Sequence, residues 1–486
     1  MLGMLSAMVL LPIVGALLVF LVSRISEKAA RILGLLISAV TLVLALSIFA
    51  AYKPERAGFQ MIETFPWAES FGLTFTLGID GISLPLLIIS TLLTTLSTVG
   101  SWREIKFSIG PYYALLLLFE GSIIGVFTSL NLILFYVFWE LVLIPMFFFI
   151  GVWGGPKKKY AAMKFLIFTH VGSTVMLLGF IALYVFSQPH TFDLVTLSNL
   201  RLPLMLQIPM AVAVFFGFAV KLPVVPFHTW LPDAHVEAPA PISVLLAGLL
   251  LKMGGYGFIR IMLGLFPEAS RFLSPALIGL AVLTMLYGAI VAMIQQDLKR
   301  MIALTSINHM GYVLLGAFSF TAMGLSGAVF QMFNHACAIG MLFLMSGVIH
   351  QQIGTRTIRE LPGLGKAMPI TAFLLILGSL GAMGFPSFAS FISEYMVILS
   401  AIKVNLLLAI VVLVPAITAG YFVWMLRRVL IGIPERPLTG TEAPRFELLA
   451  LASFLVPLLL LGIYPAPILS VINSTVQGLA RLGLAS

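Results

Sequence analysis

Charged residues are scarce in this chain of 486 residues, of which only 9% are Asp, Glu, Lys or Arg. A typical soluble domain has about 25%. Hydrophobic residues make up 60% of the chain, and no soluble core could bury that much apolar surface. The composition therefore excludes an ordinary soluble enzyme and predicts a protein that crosses a membrane many times.

Cysteine is nearly absent, since Cys337 is the only one in the sequence. A single cysteine excludes a disulfide framework and an iron–sulfur cluster held by cysteines of this chain. No GxGxxG or GxxxxGK[ST] stretch is present to bind a nucleotide cofactor. The sequence therefore predicts that this chain carries no redox cofactor of its own.

The basic residues that give the chain its net charge of +9 are distributed unevenly between the loops of the predicted topology. Apolar stretches long enough to span a bilayer begin near residues 2, 30, 84, 110, 131, 160, 206, 241, 274, 301, 322, 369, 404 and 446. The odd-numbered loops between these 14 stretches hold 18 Lys and Arg residues, and the even-numbered loops hold six. The positive-inside rule places the odd loops in the cytoplasm and both termini outside. No nucleic-acid partner is needed to explain the charge.

The second loop, residues 52–83, is the only long insert between predicted spans. It is an even-numbered loop, so we expect it on the outer face of the membrane. Leu73, Phe75 and Leu77 alternate with two threonines in it, a pattern that indicates a short strand.

Two stretches of the sequence resemble each other at a fixed distance along the chain. KFLIFTHVGSTVML, residues 164–177, aligns with VFQMFNHACAIGML, residues 329–342, with five identities at an offset of 165. This offset aligns the sixth span with the eleventh. Because five spans, an odd number, separate them, the two aligned spans cross the membrane in opposite directions. The sequence therefore predicts two inverted five-helix repeats, at about residues 110–264 and 274–430.

Each predicted repeat contains one span that proline interrupts. Pro223 follows Lys221 in the seventh span, and Pro386 follows Gly384 in the twelfth. Proline removes a helix hydrogen bond and clashes with the preceding turn, so each span should break there. Inverted repeats with one broken helix each are the architecture of ion-coupled transporters.

Four of the ionisable side chains within the predicted spans are the strongest candidates for a function. Lys221 precedes the first break and Glu394 follows the second, while Glu140 and Lys252 lie near the middle of their spans. At that depth neither side chain can reach an interface by extending along the helix. Charges in a membrane are costly and usually functional.

A single Glu–Lys pair could instead be a structural salt bridge between two helices. Four charges spread over both repeats fit a proton pathway better. A desolvated lysine releases its proton readily, and an approaching carboxylate restores its charged form. A pair of Glu140 and Lys221 that opens and closes can therefore load and unload a proton, which Lys252 on a separate helix can receive.

Other polar side chains are weaker candidates. Glu120 is either an accessory carboxylate or a partner for a neighbouring helix, and His335 could bridge the two halves through water. His170 and His309 fit a relay or simple packing equally well.

His228 begins a polar cluster that extends to Glu237, after the first break. This cluster is typical of a polar entrance. It is less typical of a metal site, because no spacing within it places metal ligands on one face of a helix.

Three motifs resemble the antiporter-like subunits of respiratory complex I and the related Mrp-type antiporters. They are FYVFWELVLIPMFFFIG (135–151), AVKLPVVPFHTWLPDAHVEAPAPISVLLAGLLLKMGGYG (219–257) and FISEYMVI (391–398), and GIDGIS (78–83) also fits the family. The resemblance covers nearly the whole chain. Within the family it is closest to the chain M subunits, because the chain ends soon after its last span and has Glu394 where the other subunits typically carry lysine.

The resemblance implies an all-α polytopic membrane protein of about 14 transmembrane helices, with two inverted repeats. It implies proton translocation driven by electron transfer to quinone in other subunits, and no redox centre in this chain. It also implies roles: Glu140 and Lys221 form the pair of the input half, Lys252 is the central relay and Glu394 is the exit group. The implied partners are chain L-like and chain N-like subunits in the inner (plasma) membrane.

Two other functional classes are open at this stage. The chain could be a subunit of an Mrp-type Na+/H+ antiporter or of a membrane-bound hydrogenase, or it could be a scaffold without transport activity. The sequence does not name the electron donor, which could be NADH, ferredoxin, F420 or hydrogen.

Overall fold

The computed structural model describes residues 3–56, 58–68, 73–432, 438 and 440–484. The helices up to the first break are α1 (Met4–Ser23), α2 (Glu27–Ala51), α3 (Ser83–Glu104), α4 (Ile109–Thr128), α5 (Leu132–Leu141), α6 (Leu143–Trp153), α7 (Lys158–Phe186), α8 (Leu194–Ser198) and α9 (Leu204–Lys221). The next are α10 (Trp230–Glu237), α11 (Ala240–Leu245), α12 (Leu251–Gly257), α13 (Leu263–Leu265), α14 (Pro267–Met293), α15 (Leu298–Phe318) and α16 (Ala322–Ile353). The last are α17 (Leu364–Ala367), α18 (Pro369–Ala382), α19 (Ala389–Val404), α20 (Leu413–Leu430), α21 (Arg445–Ile463) and α22 (Ala466–Leu484).

Within the described part of the chain, 13 helical segments are long and apolar enough to cross a membrane. The remaining predicted span is divided by the second break into α18, of 14 residues, and α19, of 16 residues. A helix of 14 residues is about 21 Å long, shorter than the roughly 30 Å hydrocarbon core of a bilayer. The predicted fold class, an all-α polytopic membrane protein, is confirmed.

The insert between α2 and α3 forms an antiparallel hairpin of β1 (Gln60–Ala68) and β2 (Leu73–Ile79). The alternating residues of β2 predicted that strand. The sequence of β1, QMIETFPWA, has no regular alternation and contains Pro66, so its strand was missed. Residues 57 and 69–72 of the predicted insert lie outside the described residues.

One end of the helix bundle, which we call the hairpin face, is where the hairpin and the start of α1 lie. The carboxylate of Glu63 in β1 accepts hydrogen bonds from Leu5 N, at 2.8 Å, and Ser6 N, at 2.9 Å. These are backbone donors that the first turn of a helix leaves without a partner. The Leu130 N–H donates to Thr76 O of β2 at 2.9 Å, so the start of α5 reaches the same face.

Helix α22 packs across the hairpin face and was not predicted. Ser326 at the start of α16 donates to Asn473 Oδ1 at 2.6 Å, and the Gly81 N–H donates to Thr475 Oγ1 at 2.9 Å. The first turn of α1 and helix α22 therefore lie at the same face.

The opposite end of the bundle, the basic face, consists of the odd-numbered loops. The Leu298 N–H donates to Arg356 O at 3.0 Å, and the Trp153 indole N–H donates to Phe107 O at 2.9 Å. Each of these hydrogen bonds joins two odd-numbered loops. The alternation of loops between two faces thus matches the alternation of basic charge along the sequence.

The centre of the bundle contains three helical segments that their neighbours cover almost completely. They are residues 240–265, α15 and α16. Helices α1, α2, α20 and α21 lie at the periphery and expose many apolar side chains. Polar groups on the three central segments are therefore shielded from the lipid.

Candidate functional site

Lys221 is the last residue of α9, where the first break begins. Its side chain is fully buried, and its Nζ lies 5.3 Å from the ring centroid of Trp139 and 5.8 Å from that of Phe165. No described residue accepts a hydrogen bond from Nζ. The indole N–H of Trp230, where the helix resumes, donates to Val220 O at 2.9 Å and satisfies a carbonyl beside the break.

Glu140 lies one residue from the end of α5 and next to Trp139, but it does not form an ion pair with Lys221 in this structure. Its Oε2 is 3.0 Å from His170 Nδ1 on α7. The two side chains line an open, mainly apolar groove of about 550 Å³ at the surface of the bundle. The predicted pair of Glu140 and Lys221 is therefore separated here, with the ring of Trp139 beside the lysine.

Lys252 lies on α12 between two π-helical segments, Leu246–Leu250 and Phe258–Met262. Short π-helical segments within α-helices are frequent at functional sites. Its buried Nζ is 2.5 Å from Ala247 O and 2.5 Å from His335 Nδ1 on α16. His335 thus contacts the predicted central lysine directly.

A row of buried polar groups continues from His335 to the second break. The rings of His335 and His309 meet edge to face, with centroids 5.4 Å apart. His309 Nε2 lies 3.7 Å from Glu394 Oε1 on α19. Lys252, His335, His309 and Glu394 therefore form a continuous row across four helices, which we call the central row.

Glu394 packs against the backbone of the second break. Gly384 there has a φ of +67°, which suits glycine, and a Cβ at that position would lie 2.5 Å from Glu394 Oε2. Gln331 on α16 donates to Glu394 Oε1 at 3.4 Å, and Ser393 donates to Gln331 Oε1 at 2.5 Å. The glycine allows the carboxylate to approach, and the amide holds it.

The two remaining candidates lie apart from the central row. His228 lies in the first break, where its ring meets that of Tyr287 edge to face at 4.7 Å between centroids. Glu120 is fully buried on α4 beside Ser38 of α2. No hydrogen bond or ion pair within the described ranges joins either side chain to the central row.

The sequence interpretation missed Gln331 and Ser393. Gln331, Asn334 and His335 are spaced three and four residues apart, which places them on one face of α16. That polar stripe in an otherwise apolar span was the available signal. Asn334 Nδ2 also donates to Ser393 Oγ, at 3.1 Å.

A metal site is not evident in the described ranges, where no three His, Cys, Asp or Glu side chains come together to hold an ion. The polar cluster from His228 to Glu237 is consistent with this. Asp233 binds Lys164 Nζ at 2.7 Å, and Glu237 accepts the Lys157 N–H at 2.8 Å.

Comparison with known proteins gives concordant matches. A family model described as "NADH:quinone oxidoreductase/Mrp antiporter, TM" matches residues 129–418. NADH-quinone oxidoreductase subunit M of Rickettsia prowazekii is 38% identical over 490 residues, covering 98% of this chain and 99% of that protein. F(420)H(2) dehydrogenase subunit M of Methanosarcina mazei is 35% identical over 493 residues, covering 99% of each. A chain of respiratory complex I from Thermus thermophilus superposes with a TM-score of 0.91 and 28% identity, covering 99% of both chains.

Proposed function

The chain belongs to the family of NADH:quinone oxidoreductase/Mrp antiporter transmembrane subunits, and we propose that it moves protons across the membrane for a complex I-type oxidoreductase. In this proposal other subunits hold the redox centres and pass electrons to quinone, while this chain has no cofactor of its own. The observation that carries the proposal is the central row, in which four titratable side chains meet inside the bundle.

The proposed relay runs from the first break to the second. A proton is loaded at Lys221, passes to Lys252 and leaves by way of Glu394, with His335 and His309 bridging the last step. The 2.5 Å contact between Lys252 Nζ and His335 Nδ1 supports the first part of that bridge. The 3.7 Å separation of His309 from Glu394 supports the second part, because a small rotation of either side chain would close it.

In this proposal, the separation of Glu140 from Lys221 represents the open form of the Glu–Lys switch. With Glu140 on His170 and Lys221 without a described partner, desolvation favours a neutral lysine. Movement of the carboxylate towards Lys221 would favour the charged lysine and so take up a proton. Electron transfer elsewhere in the assembly would drive this movement.

We propose that residues 110–264 and 274–430 are inverted repeats. Asn131 and Asp297, 166 residues apart, immediately precede α5 and α15, and the side chain of each caps its helix by accepting from backbone N–H groups of the first turn, two at Asn131 and one at Asp297. The first helix starts at the hairpin face and the second at the basic face. Equivalent helix starts on opposite faces are what inversion requires.

The proposed setting is the inner (plasma) membrane, with the basic face in the cytoplasm and the hairpin face outside, as the distribution of positive charge indicates. Both termini and the insert at 52–83 would then be extracytoplasmic. The proposed neighbours are chain L-like and chain N-like subunits, with lipid against the remaining exposed apolar side chains. The named relatives use NADH and F(420)H(2), and either donor is compatible with this chain.

Glu140→Gln tests the proposed switch. The amide keeps the shape of the side chain but lacks the charge that favours a protonated Lys221. We expect the assembled complex to lose proton pumping by about 100-fold or more, the lower end of the range for positioned proton-transfer groups. Proton uptake by proteoliposomes during donor oxidation measures it, with Glu27→Gln, an exposed carboxylate on α2, as the control.

Normal pumping by Glu140→Gln would return Glu140 to a structural role. A sodium/proton antiporter subunit is the alternative within the same family. Repeating the assay without sodium distinguishes the two, because pumping should be unchanged if protons alone are carried.

A further inference from the structure

A buried ion pair lies at the hairpin face, and one of its partners is on the helical segment that also carries Lys252. The Arg260 guanidinium donates a hydrogen bond from Nη2 to Asp80 Oδ2, and the two side chains are only 6% and 2% exposed. The Cζ of Arg260 lies 4.8 Å from the ring centroid of Phe59 and 5.8 Å from that of Tyr256. Charges are rarely buried this completely unless they are paired, and the relay proposed above uses neither of them.

The Asp80 carboxylate is held in place by its own surroundings. Its Oδ1 accepts hydrogen bonds from the backbone N–H groups of Ile82, at 3.0 Å, and Ser83, at 3.1 Å, and so caps the start of α3. The neighbouring Gly81 packs closely on α22, because a Cβ at that position would collide with a backbone carbonyl oxygen of that helix. Asp80 therefore presents Oδ2 to the guanidinium from a site fixed by α3 and α22.

Arg260 and Lys252 are the two charged residues of the helical segment 240–265. Arg260 belongs to the second π-helical segment, Phe258–Met262, which follows α12. One residue of a helix corresponds to a rotation of about 100° and a rise of about 1.5 Å. If the π-helical turn moved by one residue, the Lys252 side chain would therefore turn away from His335 Nδ1, which is now 2.5 Å from its Nζ.

We propose that the Asp80–Arg260 ion pair is a positioning clamp for Lys252. It ties the second π-helical segment to α3 and α22, and so keeps the Lys252 amine in contact with His335. Asp80 and Arg260 transfer no proton themselves, because they act only through the position of Lys252. The inference rests on the proposed function, since the position of Lys252 matters to pumping only if Lys252 belongs to the relay.

The main test is a complex that carries Asp80→Asn together with Arg260→Met. Asparagine can still cap α3, methionine fills the volume of the arginine stem, and no buried charge is left unpaired, so the complex should assemble. We expect proton uptake by proteoliposomes, per assembled complex, to fall about tenfold or more, because a displacement of about 1 Å at a reacting group can cost about 100-fold. A rate equal to that of the wild type would overturn the clamp.

The pH dependence of pumping separates positioning from stability. The titratable side chains near Lys252 are His335 and Cys337 on α16, His309 on α15 and His235 on α10, and the double variant alters none of them. Loss of the contact with His335 should move the midpoint of the pH–rate profile by about one unit, the size expected for one hydrogen bond to a charged group. A slower rate with an unchanged midpoint would indicate a purely structural role and would also overturn the clamp.

Arg260→Lys is the second variant, because it keeps a charge opposite Asp80 but replaces a planar fork by a single ammonium group. It should assemble and pump faster than the double variant but slower than the wild type. If it were no faster than the double variant, the ion pair would not be what positions Lys252. If the double variant fails to assemble, Arg260→Lys decides: a lower rate with a displaced midpoint supports the clamp, and a wild-type rate and midpoint overturn it.

The matched control is Glu55→Gln together with Arg56→Met. This change removes one charge of each sign from the exposed loop that precedes β1, and it should leave the pumping rate and its pH midpoint at their wild-type values.

Lys252→Arg, measured in parallel, distinguishes failure of the clamp from failure of the proposed function. Blocked pumping in Lys252→Arg with normal pumping in the double variant would overturn the clamp and leave the relay standing. Full pumping in Lys252→Arg would overturn the relay, and with it the reason for a clamp.

Discussion

A complex carrying Lys252→Arg is expected to assemble and to pump protons at about 1% of the wild-type rate or less, the loss expected when a positioned proton carrier is removed. Arginine keeps the positive charge and can donate to the two acceptors that Lys252 now contacts, Ala247 O and His335 Nδ1. It does not release a proton near neutral pH. A residue that only supplies a fixed charge would tolerate this exchange, whereas a relay residue would not.

The assay for this variant has two parts. Native gel electrophoresis of the solubilised membrane establishes assembly, and the initial rate of proton uptake by proteoliposomes establishes pumping. Lys366→Arg, at an exposed position on α17, is the matched control. Full-rate pumping by Lys252→Arg would mean that residue 252 supplies only a field and that protons travel elsewhere.

Lys221→Ala is expected to abolish pumping, again by about 100-fold or more, while most of the complex still assembles. The Lys221 Nζ has no hydrogen-bond partner in the described chain, so its removal leaves no buried polar group stranded. The rings of Trp139 and Phe165, which lie beside Lys221 at the first break, are left unchanged. The variant loses the amine whose protonated form the Glu140 carboxylate would favour on approach.

Lys106→Ala, on the exposed loop after α3, controls for the removal of any lysine. Assembly and pumping are read out as for residue 252. Proton-coupled turnover at the wild-type rate in assembled Lys221→Ala would end the proposed role of Lys221 in loading the relay.

The features that could be predicted from the sequence are those fixed by local chemistry. A charge or a proline within an apolar run is recognisable in the sequence itself, so Lys221, Lys252 and both breaks could be predicted. Pro223 and Pro386 interrupt their spans because proline cannot continue a helix. The helix count followed from run length alone.

The features that could not be predicted depend on which helices meet. Nothing near Glu140 indicates that α7 brings His170 to its carboxylate, so the sequence suggested Lys221 as its partner and did not suggest His170. The roles of His309 and Gln331 likewise depend on α15, α16 and α19 packing together.

Helix α22 was missed for a different reason. Its buried residues Ile468, Val471, Ile472 and Val476 follow helical spacing. Because polar residues lie between them, this stretch is not a continuous apolar run, and a search for membrane spans did not predict it.

The central claim is that Lys252 and Glu394 act in series, and a double-variant cycle tests it most directly. Pumping is measured in Lys252→Arg, in Glu394→Gln and in the complex that carries both substitutions. Groups that act as one unit give strongly non-additive losses, so either single variant should lose nearly as much as the double. Losses that instead add on the free-energy scale would show two independent sites and would contradict the relay.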